Sequence, residues 1–176
     1  TIIYTFFGTI YNLFLTIPAA YVLSKKYLPF RMIISWYFFI TMYIGGGIIP
    51  QYILIKNLGL IDNPLALIIG SGVSVSNLII TRQFFVSSIS QDIFEAAHID
   101  GASEWASFTR IALPLSKPIL AVMALYYGVT RWNSFYNALV FIVSDKYQPL
   151  QMVLRSILIK NQISVLDMSA TDIDTV

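Results

Sequence analysis

The chain has 176 residues, of which 57% are hydrophobic and only 11% charged, with a mean hydropathy of +0.72. Soluble domains carry about 25% charged residues, so this composition excludes an ordinary water-soluble fold and makes lipid the main solvent. The absence of cysteine removes disulfides, thiolate metal sites and a cysteine nucleophile, and a net charge of +2 with dispersed basic residues implies no nucleic-acid partner.

Thr1 leads straight into an apolar run with no basic n-region and no cleavage site before it. That run is therefore not a signal peptide, and the sequence reads as an internal piece of a longer protein. Residues 2–23 are free of charge and match the roughly 20 residues that cross a hydrocarbon core, with a kink expected at Pro18. Gly8 and Asn12 lie four apart on one helix face, and Asn12 fits close helix packing better than a ligand role. Lys25, Lys26 and Arg31 place the next turn in the cytoplasm. A second span covers 32–44, where Gly45-Gly46-Gly47 and Pro50 stop it near Tyr43. The glycine run suits a helix stop better than a hinge, and the segment through Leu60 is expected to be irregular and interfacial on the outer side. Asn63-Pro64 opens a third span, 64–82. Its Gly70, Ser71, Gly72, Ser74, Ser76 and Asn77 suit close packing or a polar cavity inside a bundle.

The longest polar interval, 91–114, holds Asp92, Glu95, Asp100 and Glu104. Ile93, Ala96 and Ala97 share one helical face, with Asp92 and Glu95 spaced as a capping box. Asp100-Gly101 supplies a turn, and Ser103 is positioned to cap a second helix bearing Trp105, Phe108 and Ala112 until Pro114 stops it. Lys117-Pro118 begins a fourth span, 117–137. Arg131 lies about 21 Å along it at 1.5 Å per residue, in the outer half of the core. Its neighbours Trp132, Asn133, Tyr136 and Asn137 are groups that suit a sugar, yet Arg131 could equally snorkel outward with Trp132 in an interfacial belt. Leu150, Val153, Leu154, Ile157 and Leu158 mark an amphipathic outer helix over about 149–160. Six basic residues (Lys25, Lys26, Arg31, Arg82, Arg110, Lys117) fall inside, four (Lys56, Lys146, Arg155, Lys160) outside, and Arg131 within, a modest positive-inside bias. The lone His98 has no second metal-ligand histidine, and neither a phosphate-cradling loop nor a Ser–His–acid set can be assembled, so no catalytic, metal or cofactor site is expected.

Glu95-Ala96-Ala97, Gly101, then Ile111, Leu113 and Pro114 reproduce the spacing of the EAA loop. The chain thus resembles permease subunits of bacterial binding-protein-dependent ABC importers. The likeness extends to Gly46-Gly47-Ile48-Ile49-Pro50, Leu58-Gly59-Leu60, Arg82-x-Phe84-Phe85, Leu113 through Pro118, Trp132-Asn133 and Pro149-Leu150-Gln151. Within the family these residues are most similar to the carbohydrate-uptake branch, especially Gram-positive permeases for oligosaccharides or modified sugars. The family's fold is an all-α, polytopic helical bundle of six spans, to which the four spans here would correspond as second through fifth. The first span and a final span are missing from the pattern, and Ser90 stands where many relatives carry proline.

The resemblance implies a multi-pass protein of the bacterial cytoplasmic membrane that performs no chemistry itself, with ATP bound and hydrolysed by a separate ATPase subunit. Glu95, Ala96, Ala97, Asp100, Gly101, Ala102, Ile111, Leu113 and Pro114 would couple to that ATPase, Glu95 meeting a basic residue and Gly101 letting the loop enter its cleft. Sugar would come from an extracytoplasmic solute-binding protein and pass between this subunit and a second homologous permease. Asn77, Arg131, Trp132, Asn133 and Asn137 are the candidate substrate path. The rival readings are a secondary transporter or channel, and an ABC importer of an amino acid or peptide.

Overall fold

The computed structural model describes residues 1–70, 72–144 and 147–173, and the elements among them are all helical. Helix α1 (Ile2–Ser24) runs unbroken through Pro18. It is followed by α2 (Arg31–Tyr43), α3 (Ile48–Asn57), α4 (Pro64–Ile69) and α5 (Val75–Ser88). The polar interval forms α6 (Gln91–Ile99) and α7 (Glu104–Ser107), then a π turn (Phe108–Ala112) and α8 (Leu113–Leu115). The chain closes with α9 (Lys117–Trp132), α10 (Phe135–Phe141) and α11 (Leu150–Ile173).

α1 is the axis of the bundle and packs against α4, α5 and α9. Its Gly8, Asn12, Thr16 and Ala20, spaced four apart, form one buried row. On α9 the buried residues Ile119, Met123, Tyr127 and Arg131 form a second row with the same spacing. Rows of this period interdigitate as ridges and grooves, and small residues on one side let the backbones approach. The rows run antiparallel: Thr16 Oγ1 and Tyr127 OH share a 2.7 Å hydrogen bond, while Asn12 Oδ1 accepts from Arg131 Nη2 at 2.8 Å. Towards the C-terminal end of α1, the Tyr21 ring meets Phe85, Phe94 and Phe108, which ties α1 to α5, α6 and the π turn.

Only α1 is by itself long and apolar enough to cross a membrane among the described residues. α2 with α3 (bent by 108°) and Glu104–Leu115 with Lys117–Trp132 (bent by 78°) reach that length and hydropathy only as pairs. Several expected boundaries move accordingly. The segment expected to be irregular through Leu60 contains α3, because Gly47 adopts φ +76° to start it and Pro50 falls in its first turn, where a missing N–H costs no hydrogen bond. The stretch 64–82 is two helices, α4 and α5, and the second continues to Ser88. The stretch 117–137 breaks after Trp132 and resumes at Phe135. The outer helix extends from Leu150 to Ile173, with Leu150, Val153, Leu154, Ile157 and Leu158 all exposed. Ser71 and Lys146, counted above among the small residues and the outer basic residues, lie outside the described residues.

Candidate functional site

Two regions gather the residues singled out by the sequence. The first is a cleft of about 460 Å³ where the broken helices meet, lined by α1, the 72–74 segment, α5, α9, Ser134 and α10. The break between α4 and α5 is held by side chains that complete its backbone hydrogen bonds. Asn63 Oδ1 caps α4 from Leu65 N at 2.9 Å. At the other end, Gly70 N–H takes the Ala66 carbonyl, and Gln51 Nε2 donates to Gly70 O at 2.8 Å. The next carbonyls, Leu67 O and Ile68 O, accept from Arg131 Nη1 and Nη2. Ser74 N–H, at the start of α5, donates to Tyr127 OH at 3.3 Å. Irregular backbone at membrane depth survives only where such partners exist or a cavity is lined, and here both conditions hold.

Arg131 is therefore neither at the lipid surface nor snorkelling outward. It is 5% exposed, and its guanidinium lies on the carbonyl end of α4, where a cation complements the helix dipole. Gly8 makes the room, since a Cβ there would stand 3.0 Å from Arg131 Nε and 3.2 Å from Cδ. Of the expected path residues, Asn77, Arg131 and Asn137 line the cleft together. Trp132 and Asn133 do not: Trp132 is exposed, and the Asn133 amide donates back to Val129 O at 3.0 Å. Asn12, Ser74, Tyr126, Tyr127, Thr130 and Ser134 complete the polar lining. Tyr127 was legible in principle, because it stands one turn before Arg131 in the buried α9 row. The lining holds hydroxyls, amides, aromatic rings and one cation, with no carboxylate among its described residues.

The second region is the α6–α8 unit. Ser90, not the Asp92–Glu95 pair, caps α6: Ser90 Oγ accepts from Asp92 N at 3.3 Å and donates to Asp92 Oδ2 at 3.0 Å. A capping box needs its acid three residues after the cap, which is Ile93 here. Ala102 N donates to Ala97 O and Gly101 N to His98 O, with Gly101 at φ +78°. This is the paired bonding of a Schellman motif, which places glycine at the left-handed position. Ser103 Oγ then caps α7 from Ala106 N at 3.2 Å. Pro114 does not end the helical path. The π turn before it widens the backbone around Arg110, whose carbonyl the Pro114 ring would otherwise meet, and the chain bends at Ser116 instead.

The face of α6 divides in two. Phe94 and Ala97 pack inward, whereas Ile93 and Ala96 are exposed with Glu95. Ile99 and Trp105 are 87% and 70% exposed, so an apolar surface brackets the Gly101 turn. Asp100, Gly101 and Pro114 also point outward, while Ala102, Ile111 and Leu113 are half-buried. His98 is exposed, with Nε2 3.6 Å from Glu104 Oε1. One residue missed in the sequence joins this unit to α1. Lys25 is buried, with Nζ 3.4 Å from the Phe94 ring centroid and 4.4 Å from that of Tyr21. Burial lowers the affinity of its amine for a proton, partly offset by Glu104 nearby. Partial desolvation beside the Glu104 carboxylate pushes the phenol of the largely exposed Tyr27 up.

Residues 1–164 match the model of the family described as binding-protein-dependent transport system inner membrane component. The chain belongs to this family. It is 42% identical to the protein LplC of Bacillus subtilis over 99% of its own length and 57% of the relative's. Identity is 37% to the polygalacturonan/rhamnogalacturonan transport system permease protein YtcP of the same organism, over 88% of this chain and 54% of that one. Among solved structures, a chain of a bacterial ABC transporter involved in import of the acidic polysaccharide alginate superposes with a TM-score of 0.84. That chain is 35% identical, over 88% of this chain and 55% of its own. The chain thus spans about half the length of the curated relatives it matches, as an all-α membrane protein of the permease fold.

Proposed function

We propose that the chain is part of a permease subunit of an ABC importer that carries an oligosaccharide or modified sugar inward across the bacterial cytoplasmic membrane. In this reading the protein crosses the membrane several times, and a separate ATPase subunit hydrolyses ATP. The α6–α8 unit carries the reading. One side, with Phe94 and Phe108, is packed onto the C-terminal end of α1, while the other leaves Ile93, Ile99 and Trp105 bare around a glycine-fixed turn. A unit with one face in the bundle and one awaiting a partner is suited to convert docking into movement of the spans. The coupling it delivers is bounded by the difference in docking energy between the two states. Glu95, Ala96, Ala97, Asp100, Gly101, Ala102, Ile111, Leu113 and Pro114 are assigned to this coupling. The family description supports an extracytoplasmic binding protein as the donor of substrate, and a second homologous permease completes the path.

The cleft supports a carbohydrate. Hydroxyls and amides match sugar hydroxyls, the exposed Tyr126 offers a ring face, and the lack of a lining carboxylate spares an acidic sugar from repulsion. Relatives named for polygalacturonan and alginate agree with that chemistry. Asn77, Arg131 and Asn137 are the path residues inside the cleft, and Trp132 and Asn133 would meet a sugar only outside it. The test is uptake by the full-length protein, reconstituted in vesicles with its partner permease, ATPase and binding protein. Galacturonate oligosaccharide is expected to enter only when ATP is supplied. Entry driven by a proton gradient without ATP would make it a secondary transporter. ATP-driven entry of an amino acid or peptide instead would move it to another importer branch.

A further inference from the structure

A groove of about 560 Å³ lies between α2 and α5, away from both regions described above, lined by Arg31, Met32, Ser35, Trp36, Phe39 and Arg82. Arg82 Nε donates to Leu23 O at the end of α1, which holds its guanidinium at the groove. Arg31 and Arg82 are close enough for their charges to repel each other. No carboxylate pairs with either of them among the described residues. The first turn of α2, which carries Arg31 and Met32, has no acidic residue and no side-chain cap, so its helix dipole adds further positive potential. Met32, Trp36 and Phe39, at i, i+4 and i+7, form an exposed apolar track that leads up α2 from this charge.

We propose that the Arg31–Arg82 groove binds the headgroup of one anionic phospholipid of the inner leaflet, with an acyl chain laid along Met32, Trp36 and Phe39. The proposal rests on the orientation given above, which puts the α1–α2 turn in the cytoplasm. A covering protein helix without an acidic residue would bury two guanidiniums against apolar side chains with no counter-charge, which is costly. A phosphodiester supplies that charge together with acceptor oxygens, and basic pockets between spans on this side of a membrane suit anionic headgroups.

The experiment uses the full-length protein with its partner subunits, exchanged into phosphatidylcholine nanodiscs containing a minor fraction of phosphatidylglycerol. Retained lipid is counted by native mass spectrometry. Wild type is expected to keep one phosphatidylglycerol preferentially, and Arg31→Gln to weaken that preference about fivefold, the double variant Arg31→Gln/Arg82→Gln about 25-fold. Among the described residues Arg31 makes no interhelix side-chain bond of the kind Arg82 makes, so the single variant tests the site even where the double one misfolds. Equal retention by wild type and Arg31→Gln would overturn the proposal. So would a photo-crosslinker at Trp36 that captures a protein segment instead of lipid. Co-purification of the ATPase, read on the same sample, reports separately on the permease assignment.

Discussion

Arg131 brings a charge into the bundle, and its acceptors come from two other helices: Asn12 on α1, and Leu67 and Ile68 at the end of α4. Arg131→Met leaves those acceptors without a donor and is expected to destabilise the protein by roughly 2–4 kcal/mol. Arg131→Lys should recover part of the loss, both measured as unfolding midpoints in detergent. An unchanged midpoint for the methionine variant would refute the role of Arg131 in holding the break. The sequence located this arginine but not its direction, because a side chain that long can reach the interface or turn inward. What decides is Gly8, on a different helix, whose missing side chain opens the space. Asp62 presents a second case at this scale. It sits at φ +59° and accepts from Ser144 N at 2.8 Å, Ser144 Oγ and Val143 N at 3.0 Å, joining the α3–α4 turn to the end of α10. These bonds, those from Ser144 foremost, hold its carboxyl below the ordinary 3.8. A depressed carboxylate stabilises above its unfolded pKa, and the contribution is lost as pH falls through the folded value. Wild type should therefore lose stability relative to Asp62→Ala only below about pH 4. A gap between the two that stayed constant from pH 7 to pH 3 would contradict this assignment.

Between elements, the Lys25 amine over the Phe94 ring ties α6 to the end of α1. Desolvated cation–π contacts are worth about 2 kcal/mol, and this one is a direct bond between α6 and the end of α1. Lys25→Met keeps the apolar stem and removes the charge. In the reconstituted importer it is expected to hydrolyse ATP while transporting at least about tenfold less sugar per ATP, and Lys25→Arg to restore the ratio. An unaltered ratio in the methionine variant would show that the clasp transmits nothing. The α6–turn–α7 arrangement was legible because its signals are local: Asp100-Gly101 for the turn and Ser103 for the cap. The breaks at 70–74 and 133–134 were not. At the first, glycine and serine are tolerated within a packed span, and among the described residues it is Gln51, Tyr127 and Arg131, distant in sequence, that satisfy the broken form. At the second, Asn133 and Ser134 bond back to Val129 O and Arg131 O, which a continuous helix also permits. α3 was missed for a related reason, since Pro50 disrupts a helix everywhere except in the first turn, where it lies.

At the scale of the molecule, α1 links the outer cleft to the α6–α8 unit. Gly8, Asn12 and Thr16 meet Arg131 and Tyr127 at one end, and Tyr21 and Lys25 meet Phe94 and Phe108 at the other. The helix between them is continuous, so in the proposed importer a displacement of the α6–α8 unit would reach the cleft along α1. Large apolar side chains stay exposed along α2 and α11, as suits a chain spanning half of its relatives' length and meeting lipid or other protein there. In the proposed importer the glycine-fixed turn docks an ATPase. This docking is tested most directly by affinity purification of the full-length protein in detergent, wild type against Gly101→Pro. Proline cannot adopt the positive φ and removes the N–H bonded to His98 O. An ATPase subunit is expected to co-purify with wild type and to be lost from Gly101→Pro, with the unfolding midpoint of the spans little changed. An ATPase bound equally by both forms, or by neither, would contradict it.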